Sequence, residues 1–452
     1  MMAAVAQSSN EEKRRKDGKP QPDIETVRLI ASSSWSLQIS ETDILQLESY
    51  DDANFYLRAS KIKDLAENPE KTEESEFLIK FYNAVESDNS EMLKGISLLL
   101  NTVSSYSGDS LSCDFVHPTV PRPILIETIL SADCTSNVDV NDVAFSMISS
   151  ASNHTSKQYT AARLFHWVPG TILNKAGTLT TSKLIVNLGY SLGSITNSLR
   201  GFDHPSFHRE HAWDLQNFPS TYATFSTYID EQDIKEFVDE VFKRFNEIII
   251  PISDKLERSI IMGDCNDANV ILNHEMTAVT GIIDFGDAVY TWSVNEIAIA
   301  MAYALLTTYG KQEPLKCVAC LFGGYTYATQ QFRIMGGNIP INNEKSEELE
   351  SLHTLICMRL CVSIMIGAYS ISMDPSNEYL KLHSNPAKET LRALMSSASG
   401  DEPPQKVRKT SSLSSATLSN LFSRVSQADL TSVTDSSMLD ALFVNIAEMC
   451  EK

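Results

Sequence analysis

Apolar positions in the first third of the chain fall in short, strand-like runs. Their spacing predicts β-strands at Trp35–Ile39, Ala53–Ala59 and Phe77–Tyr82. The last two flank a polar, acidic connection (Lys61–Glu76) that suits a hairpin loop, and a further run at Ala161–Val168 is closed by the turn signal Pro169-Gly170. Two segments in this third carry helical spacing instead: Ile24–Ser33, with Val27, Leu29 and Ile30 on one face, and Ser90–Val103, with Met92, Leu93, Ile96, Leu99 and Leu100. Beyond Gly170 the helical period takes over at Ser182–Arg200, Glu231–Ile248, Val294–Tyr309, Pro314–Met335 and Glu347–Ser372. It is broken by one compact β-like stretch, Ile260–Ile283. No fixed-period repeat is visible. The pattern predicts an α+β chain in two lobes: a small β-rich lobe over 23–165 and a larger, mostly α-helical lobe over 166–395.

The flanks differ in kind. Residues 1–22 are charged, with Lys13-Arg14-Arg15-Lys16 in a row and no apolar core for a secretory signal, and read as a disordered leader. Residues 396–437 are Ser/Thr-rich around Pro403-Pro404 and read as a disordered tail. Within it, Arg408-Lys409 before Thr410 and Ser411, and Arg424 before Ser426, are candidate phosphoacceptor sites for a phospho-regulated partner; a solvated linker is the alternative. In the last segment, 438–452, Met438–Met449 has the spacing of a terminal amphipathic helix.

At 452 residues the chain exceeds one compact core and suits two lobes with appendages. Its formal net charge of −21 excludes nucleic acid and an anionic membrane as main partners. The charge favours a cationic second substrate or simply serves solubility. Eight cysteines spread through apolar stretches read as buried free thiols in a reducing compartment, so a cytoplasmic location is expected. Cys317 and Cys320 form a C-x-x-C pair, but no nearby His completes a zinc set, which favours buried helix cysteines. With no run of about 18 uncharged apolar residues, no membrane span is expected.

The chemistry concentrates in Ile260-Ile-Met-Gly-Asp-Cys-Asn-Asp-Ala-Asn269 and Gly281-Ile-Ile-Asp-Phe-Gly-Asp287. Asp264 and Asn269 share a short polar loop between apolar segments, and Asp284 emerges at a strand end. Phosphoryl transfer needs such a set: a carboxylate for the attacking hydroxyl, then an amide and a second carboxylate to hold Mg²⁺ against the nucleotide phosphates. It also needs a fixed cation. Lys80, alone among apolar residues in Phe77–Tyr82, fits that role, although an exposed lysine on an edge strand would give the same pattern. No G-x-G-x-x-G occurs in the first lobe. In its place stands Ser49-Tyr-Asp-Asp-Ala-Asn-Phe55, either a phosphate-covering loop contributing Ser49 and Asn54 or, given Asp51 and Asp52, an ordinary turn.

G-D-x-x-x-x-N followed by I-I-D-F-G-D resembles the aminoglycoside phosphotransferase and choline kinase superfamily, which implies a bilobal protein-kinase-like fold. The match runs in order from about Asp23 to Leu394. Within the superfamily several runs resemble the hydroxylysine kinases: Ser49–Phe55, Phe77–Lys80, the R-L-(x)3-V-P-G run at Arg163–Gly170, and His204–Leu215. The resemblance implies Asp264 as base, Asn269 and Asp284 as Mg²⁺ ligands, and Lys80 on the nucleotide phosphates. It implies a hinge at Arg163–Val168, including Phe165 and Trp167, against the purine. It further implies GTP (or ATP) as donor and 5-hydroxy-L-lysine as acceptor, with other small hydroxylated amines as the alternative. Asp287, Glu296 and Asp267 are then candidates for the acidic wall that receives substrate ammonium groups; for Glu296 a structural salt bridge to Arg359 is an equal alternative. Two departures stand out. Met262 replaces the His that braces the base loop, and Lys94 stands where a Glu pairs with the phosphate lysine, leaving Glu91 one turn earlier as its candidate partner. Both point toward an attenuated enzyme, or a pseudokinase with a binding role.

Overall fold

The computed structural model describes residues 13–61 (except 16), 74–106, 118–124 (except 123), 146–149, 159–176, 181–334 (except 312), 346–375 (except 374), 384–399, and Leu418, Asn420 and Leu421. Most of the expected hairpin connection, nearly all of the Ser/Thr-rich tail and the helix expected at Met438–Met449 lie outside the described residues.

In the first lobe, helix α1 (Ile24–Trp35) lies against a six-stranded antiparallel sheet. Its strands are β1 (Leu37–Gln38), β2 (Ile44–Leu47), β3 (Ala53–Lys61), β4 (Ser75–Phe81), β5 (Ser146–Ser149) and β6 (Tyr159–His166). The order is β1-β3-β4-β6-β5, with β2 also pairing β3. The period-two pattern of β3 explains the packing: Ala53, Phe55, Leu57 and Ala59 point inward, against Val27, Ile30, Ala31 and Trp35 of α1. Asp23 caps α1 by accepting from the Thr26 amide at 2.8 Å. Ser36 ends it in the left-handed region (φ 53°). The strand expected at Trp35–Ile39 is thereby cut to Leu37–Gln38. Trp35 instead closes the helix and donates its indole N–H to the Ile124 carbonyl at 3.0 Å. After the short helix α2 (Ala84–Ser87), α3 (Ser90–Ser105) turns Met92, Ile96, Leu99, Leu100 and Val103 into the core of the second lobe.

The second lobe comprises α4 (Ser182–Ser198), α5 (Phe218–Phe225), α6 (Gln232–Arg244), α7 (Val294–Thr308), α8 (Pro314–Ile334), α9 (Ser346–Met373) and α10 (Ser384–Ser399). Helix α6 is shorter than expected because a π turn, Phe245–Ile249, precedes Pro251. Helices α4 and α8 touch backbone to backbone: a Cβ on Gly189 would fall 2.0 Å from the Leu321 carbonyl oxygen, and one on Gly324 2.0 Å from that of Val186. Cys317 and Cys320 of α8 are buried, as are Cys357 and Cys361 of α9. Ser351–Met373 is long and apolar enough to cross a bilayer by length and composition, yet it is 78% buried inside the protein, as suits a core helix.

Two small sheets frame the cleft between the lobes. One has the order β10 (Val279–Ile282), β9 (Val270–Leu272), β7 (Thr171–Ile172); the other pairs β8 (Arg258–Ile261) with β11 (Val289–Trp292). The β8–β9 loop carries Asp264 and Asn269, and the β10–β11 turn carries Asp284 and Asp287. The fold thus delivers both polar loops to one place.

The expected disordered leader needs correction over its second half. Residues 13–15 and 17 are helical, and Arg15 is only 8% exposed, ion-paired at 2.8 Å to Glu86. A charged run was a poor guide because the partners of Arg15, Glu86 and Asp51, are supplied by the folded first lobe.

Candidate active site

Asp264, Asn269, Asp284, Asp287, Lys80, Ser49, Asn54 and Trp167 all line one cleft of about 840 Å³. The β8–β9 loop starts at Gly263, whose φ of +79° and a Cβ that would sit 3.0 Å from the Asp287 carbonyl oxygen both demand glycine. Asp264 then has every oxygen engaged. Its Oδ1 accepts from Arg359 Nη2 at 2.9 Å, and its Oδ2 accepts from Asn266 at 2.8 Å and Asn269 at 2.9 Å. Burial, then the charge of Asp287, pushes the Asp264 carboxyl up to about 7 against the pull of Arg359. A carboxylate poised there can accept a hydroxyl proton near neutral pH.

Arg359 is 1% exposed and lies between the rings of Trp213 and Tyr303, at 4.8 and 5.2 Å. It also donates to the Trp213 carbonyl and the Tyr303 hydroxyl, each at 3.1 Å. Its planar fork therefore fixes Asp264 from a rigid mount. The signal for this residue was present in the sequence as a single arginine in an otherwise apolar helix.

Glu296 has another role than expected. It is fully buried, pairs with no arginine, and accepts from the backbone N–H groups of Met262 at 2.6 Å and Gly263 at 3.3 Å. Burial pushes its carboxyl up to about 7, opposed by those two bonds. It does not line the cleft; it braces the Asp264 loop from behind, where Met262 offers no side-chain hydrogen bond.

On the opposite wall, Lys80 of β4 lies 2.8 Å from Asp52 Oδ2 and 3.5 Å from Asp284 Oδ1. Burial works against the Lys80 charge, but Asp284 and Asp52 outweigh it and hold the lysine well above its usual value. Asp52 is itself fixed: its Oδ1 accepts from the Asn83 backbone N–H at 2.8 Å and side-chain amide at 3.0 Å. The expected partner Glu91 is elsewhere, paired with Lys94 on the exposed side of α3 at 2.9 Å. Asp284 takes φ +62°, which turns its carboxylate into the cleft, where its Oδ1 also accepts from the Gly286 N–H at 3.2 Å.

Asn269 commits its amide nitrogen to Asp264, which leaves Oδ1 on the other side of the amide group. Asp284 keeps a half-exposed carboxylate. Among the described residues no three His, Cys, Asp or Glu side chains gather as a metal cage. A hard amide–carboxylate pair of this kind suits a divalent ion that completes its shell with phosphate oxygens and water.

Residues 117–322 match the profile of the phosphotransferase enzyme family. Over those residues the chain is similar to that family. It is 24% identical over 377 residues to hydroxylysine kinase of Mus musculus, covering 81% of this chain and 87% of the relative. It is 25% identical over 366 residues to that of Xenopus laevis, covering 78% and 84%. Among solved structures it is similar in fold to an amicoumacin kinase in complex with AMP-PNP and Ca²⁺, with TM-score 0.53, 14% identity, and 84% of this chain and 95% of that one covered. A microcompartment-associated aminopropanol kinase gives TM-score 0.55, 11% identity, and 82% and 96% coverage. Domain and relatives together make the chain a phosphotransferase that acts on a hydroxyl group, on the bilobal kinase-like fold.

Within this phosphotransferase the remaining expected positions divide. Trp167 lines the cleft and meets Tyr56 edge-on at 5.0 Å, whereas Phe165 is 5% exposed and packs into the core. Strand β6 ends at His166, so Trp167 lies beyond the alternation that turns Phe165 into the core. Asp267 is buried at 8% exposure and does not line the cleft, so it is no part of an acidic wall. Asp287 does line it, 3.4 Å from His211 Nε2. His211 is held well below the usual histidine value by burial and then by Arg209, and so is neutral at pH 7. Sequence reasoning missed Asp52 as the lysine anchor, Arg359 as the Asp264 mount, and the pair Trp213 and Tyr303.

Proposed function

We propose that this phosphotransferase moves the γ-phosphoryl group of GTP or ATP to the hydroxyl of 5-hydroxy-L-lysine, with Asp264 as the base. The observation that carries the reading is the Asp264 carboxylate itself, in the cleft, pinned by Arg359 and Asn269 and raised to about 7. Asp264 orients the acceptor hydroxyl and takes its proton, which passes to an Oδ atom as the oxygen attacks phosphorus. Lys80, anchored by Asp52, presents a fixed charge to the nucleotide phosphates. Asn269 and Asp284 are the residues that would hold Mg²⁺, which supplies charge neutralisation across the phosphates when bound. Trp167 and the hinge backbone face the purine, and Ser49 and Asn54 cover the phosphates. Asp287 and Glu210, both lining the cleft, suit an ammonium group on the acceptor. The anchoring of Lys80 by Asp52 and of the base loop by Glu296 supports an active enzyme over an attenuated one.

A second reading has a specific observation behind it. Of the cleft-lining cations, Arg15, Lys80 and Arg359 are already ion-paired to Glu86, Asp52 and Asp264. Lys175 is the one further lysine or arginine among the described cleft-lining residues, so little cationic surface is left for a carboxylate, which favours an amino alcohol such as ethanolamine or choline. Phosphate transfer from GTP and ATP to a panel of 5-hydroxylysine, ethanolamine and choline separates the two. Asp264→Asn is expected to cut transfer about a thousandfold with circular dichroism unchanged. Transfer surviving in that variant, or no acceptor in the panel being phosphorylated, overturns the reading.

A further inference from the structure

The segment before α1 reaches into the cleft. Arg15 Nη1 lies 2.8 Å from Glu86 Oε1 and 3.5 Å from Asp51 Oδ2, with the three side chains only 9%, 8% and 13% exposed. Two further contacts seat the segment. Lys19 Nζ donates to the carbonyls of Ser49 at 2.6 Å and Tyr50 at 3.3 Å, on the loop that covers the phosphate end. The Ala84 N–H donates to the Gly18 carbonyl at 3.2 Å. That approach requires glycine, because a Cβ there would fall 2.3 Å from the Ala84 Cβ.

Glu86 is the residue this seating serves. Among the described residues its buried Oε2 has no hydrogen-bond partner, and Oε1 to Arg15 is the one bond its carboxylate makes. It also faces the metal-side turn: a Cβ on Gly286 would be 3.9 Å from Glu86 Oε1. Arg15, Glu86, Asp51, Asp52, Lys80 and Asp284 line the same cleft. Lys80 is matched by Asp52, so without Arg15 the Glu86 carboxylate would stand as surplus negative charge beside a polyanionic ligand. A surplus buried charge a few ångströms from a phosphate weakens binding by roughly ten- to hundredfold.

We propose that Arg15 is a positioning residue of the nucleotide site: by pairing with Glu86 and Asp51 it neutralises the acidic shell behind Lys80 and so permits a nucleoside triphosphate to bind there. The proposal rests on the reading above that the phosphates lie against Lys80, and its test is binding, independent of the acceptor. Calorimetric titration of the full chain with Mg–GTP and Mg–ATP compares wild type, Arg15→Ala, Arg15→Lys, Glu86→Gln and the double variant Arg15→Ala/Glu86→Gln. Arg15→Ala is expected to raise Kd by about tenfold or more, Arg15→Lys by less, and the double variant to regain wild-type Kd within about threefold. Glu86→Gln alone is expected to tighten binding, since it removes a repelling charge. If Arg15→Ala binds within twofold of wild type, or if the double variant is as weak as Arg15→Ala, the charge role is overturned. Should Arg15→Ala fail to fold, Glu86→Gln decides alone: weaker binding in that variant sinks the proposal. A wild-type chain that binds neither nucleotide overturns the phosphate reading itself, and this proposal with it.

Discussion

The loop around Asp264 and the wall around Lys80 are held together in opposite ways. Around Asp264 most partners are local: Asn266 and Asn269 sit two and five residues on, and the surroundings are amides and backbone N–H groups with Arg359 as one outside cation. Around Lys80 the partners are charged and come from afar, with Asp284 204 residues away and Arg15 reaching Glu86 across 71. Each region departs at one position from the pattern the resemblance implies, and each has an anchor in this structure. Met262 stands where the resemblance implies a histidine brace, and Glu296 holds that loop; Lys94 stands where it implies a helix glutamate, and Asp52 holds Lys80. A hydrogen-bond brace and a buried ion pair fail differently when cut, because a buried charge left alone costs far more than an unmet amide.

Breaking the ion pair should therefore have the larger effect. Asp52→Asn keeps the shape and the Asn83 contacts while leaving Lys80 with the half-exposed Asp284 alone. We expect nucleotide Kd to rise about a hundredfold, with kcat at saturation changed less, measured by titration and by a full rate curve. An unchanged Kd would show that Asp284 suffices as the anchor. Next comes the mount of the base. Arg359 pulls the Asp264 pKa down, so Arg359→Met should raise it from about 7. As the proposed base, Asp264 acts only when deprotonated, so activity rises with pH through that value, and the acid limb of kcat/KM should move to higher pH by about one pH unit. The loss is then about tenfold at pH 6 and small at pH 9. A uniform loss at every pH would mean that Arg359 acts on geometry and not on the proton. Smaller again is the brace: Glu296→Gln still offers one acceptor oxygen to two N–H groups, and should lower kcat about fivefold with stability down by about 1–2 kcal/mol. Equal losses in Glu296→Gln and Asp52→Asn would erase the contrast between the two regions.

The same contrast explains what the sequence made legible. Asp264, Asn269 and Asp284 were readable because a short loop and a strand end bring them together whatever the rest of the chain does. Helices α4, α6, α7, α8 and α9 were readable because their apolar period runs for three turns or more, whereas α5 and α10 were not expected. The other failures are long-range or boundary effects. Strand β2 has only Ile44 and Leu47 partly buried and left no periodic trace. Trp35 was counted with a strand because nothing in its composition announces the left-handed Ser36 after it. Glu296 was read as part of an acidic wall or as a partner of Arg359 because a carboxylate that accepts two backbone N–H groups has no sequence signature. Arg15 was read as solvated because like charges in a row look the same whether or not a lobe carries their partners.

Lys94 offers the finest test of the comparison. A register argument alone would place a glutamate there opposite Lys80, and predicts a gain when Lys94→Glu restores it. The structure assigns Lys94 to the exposed side of α3, 2.9 Å from Glu91, with side chains 37% and 68% exposed. An exposed pair three residues apart on a helix contributes little to stability. Reversing its charge puts two glutamates side by side without bringing either nearer to Lys80, whose neighbourhood Asp52 already fills. Lys94→Glu should then leave nucleotide Kd and kcat within about twofold of wild type and lower the melting temperature by a degree or so. A clear gain in nucleotide affinity would mean that α3 swings inward when nucleotide binds, and that Asp52 holds Lys80 only until it does.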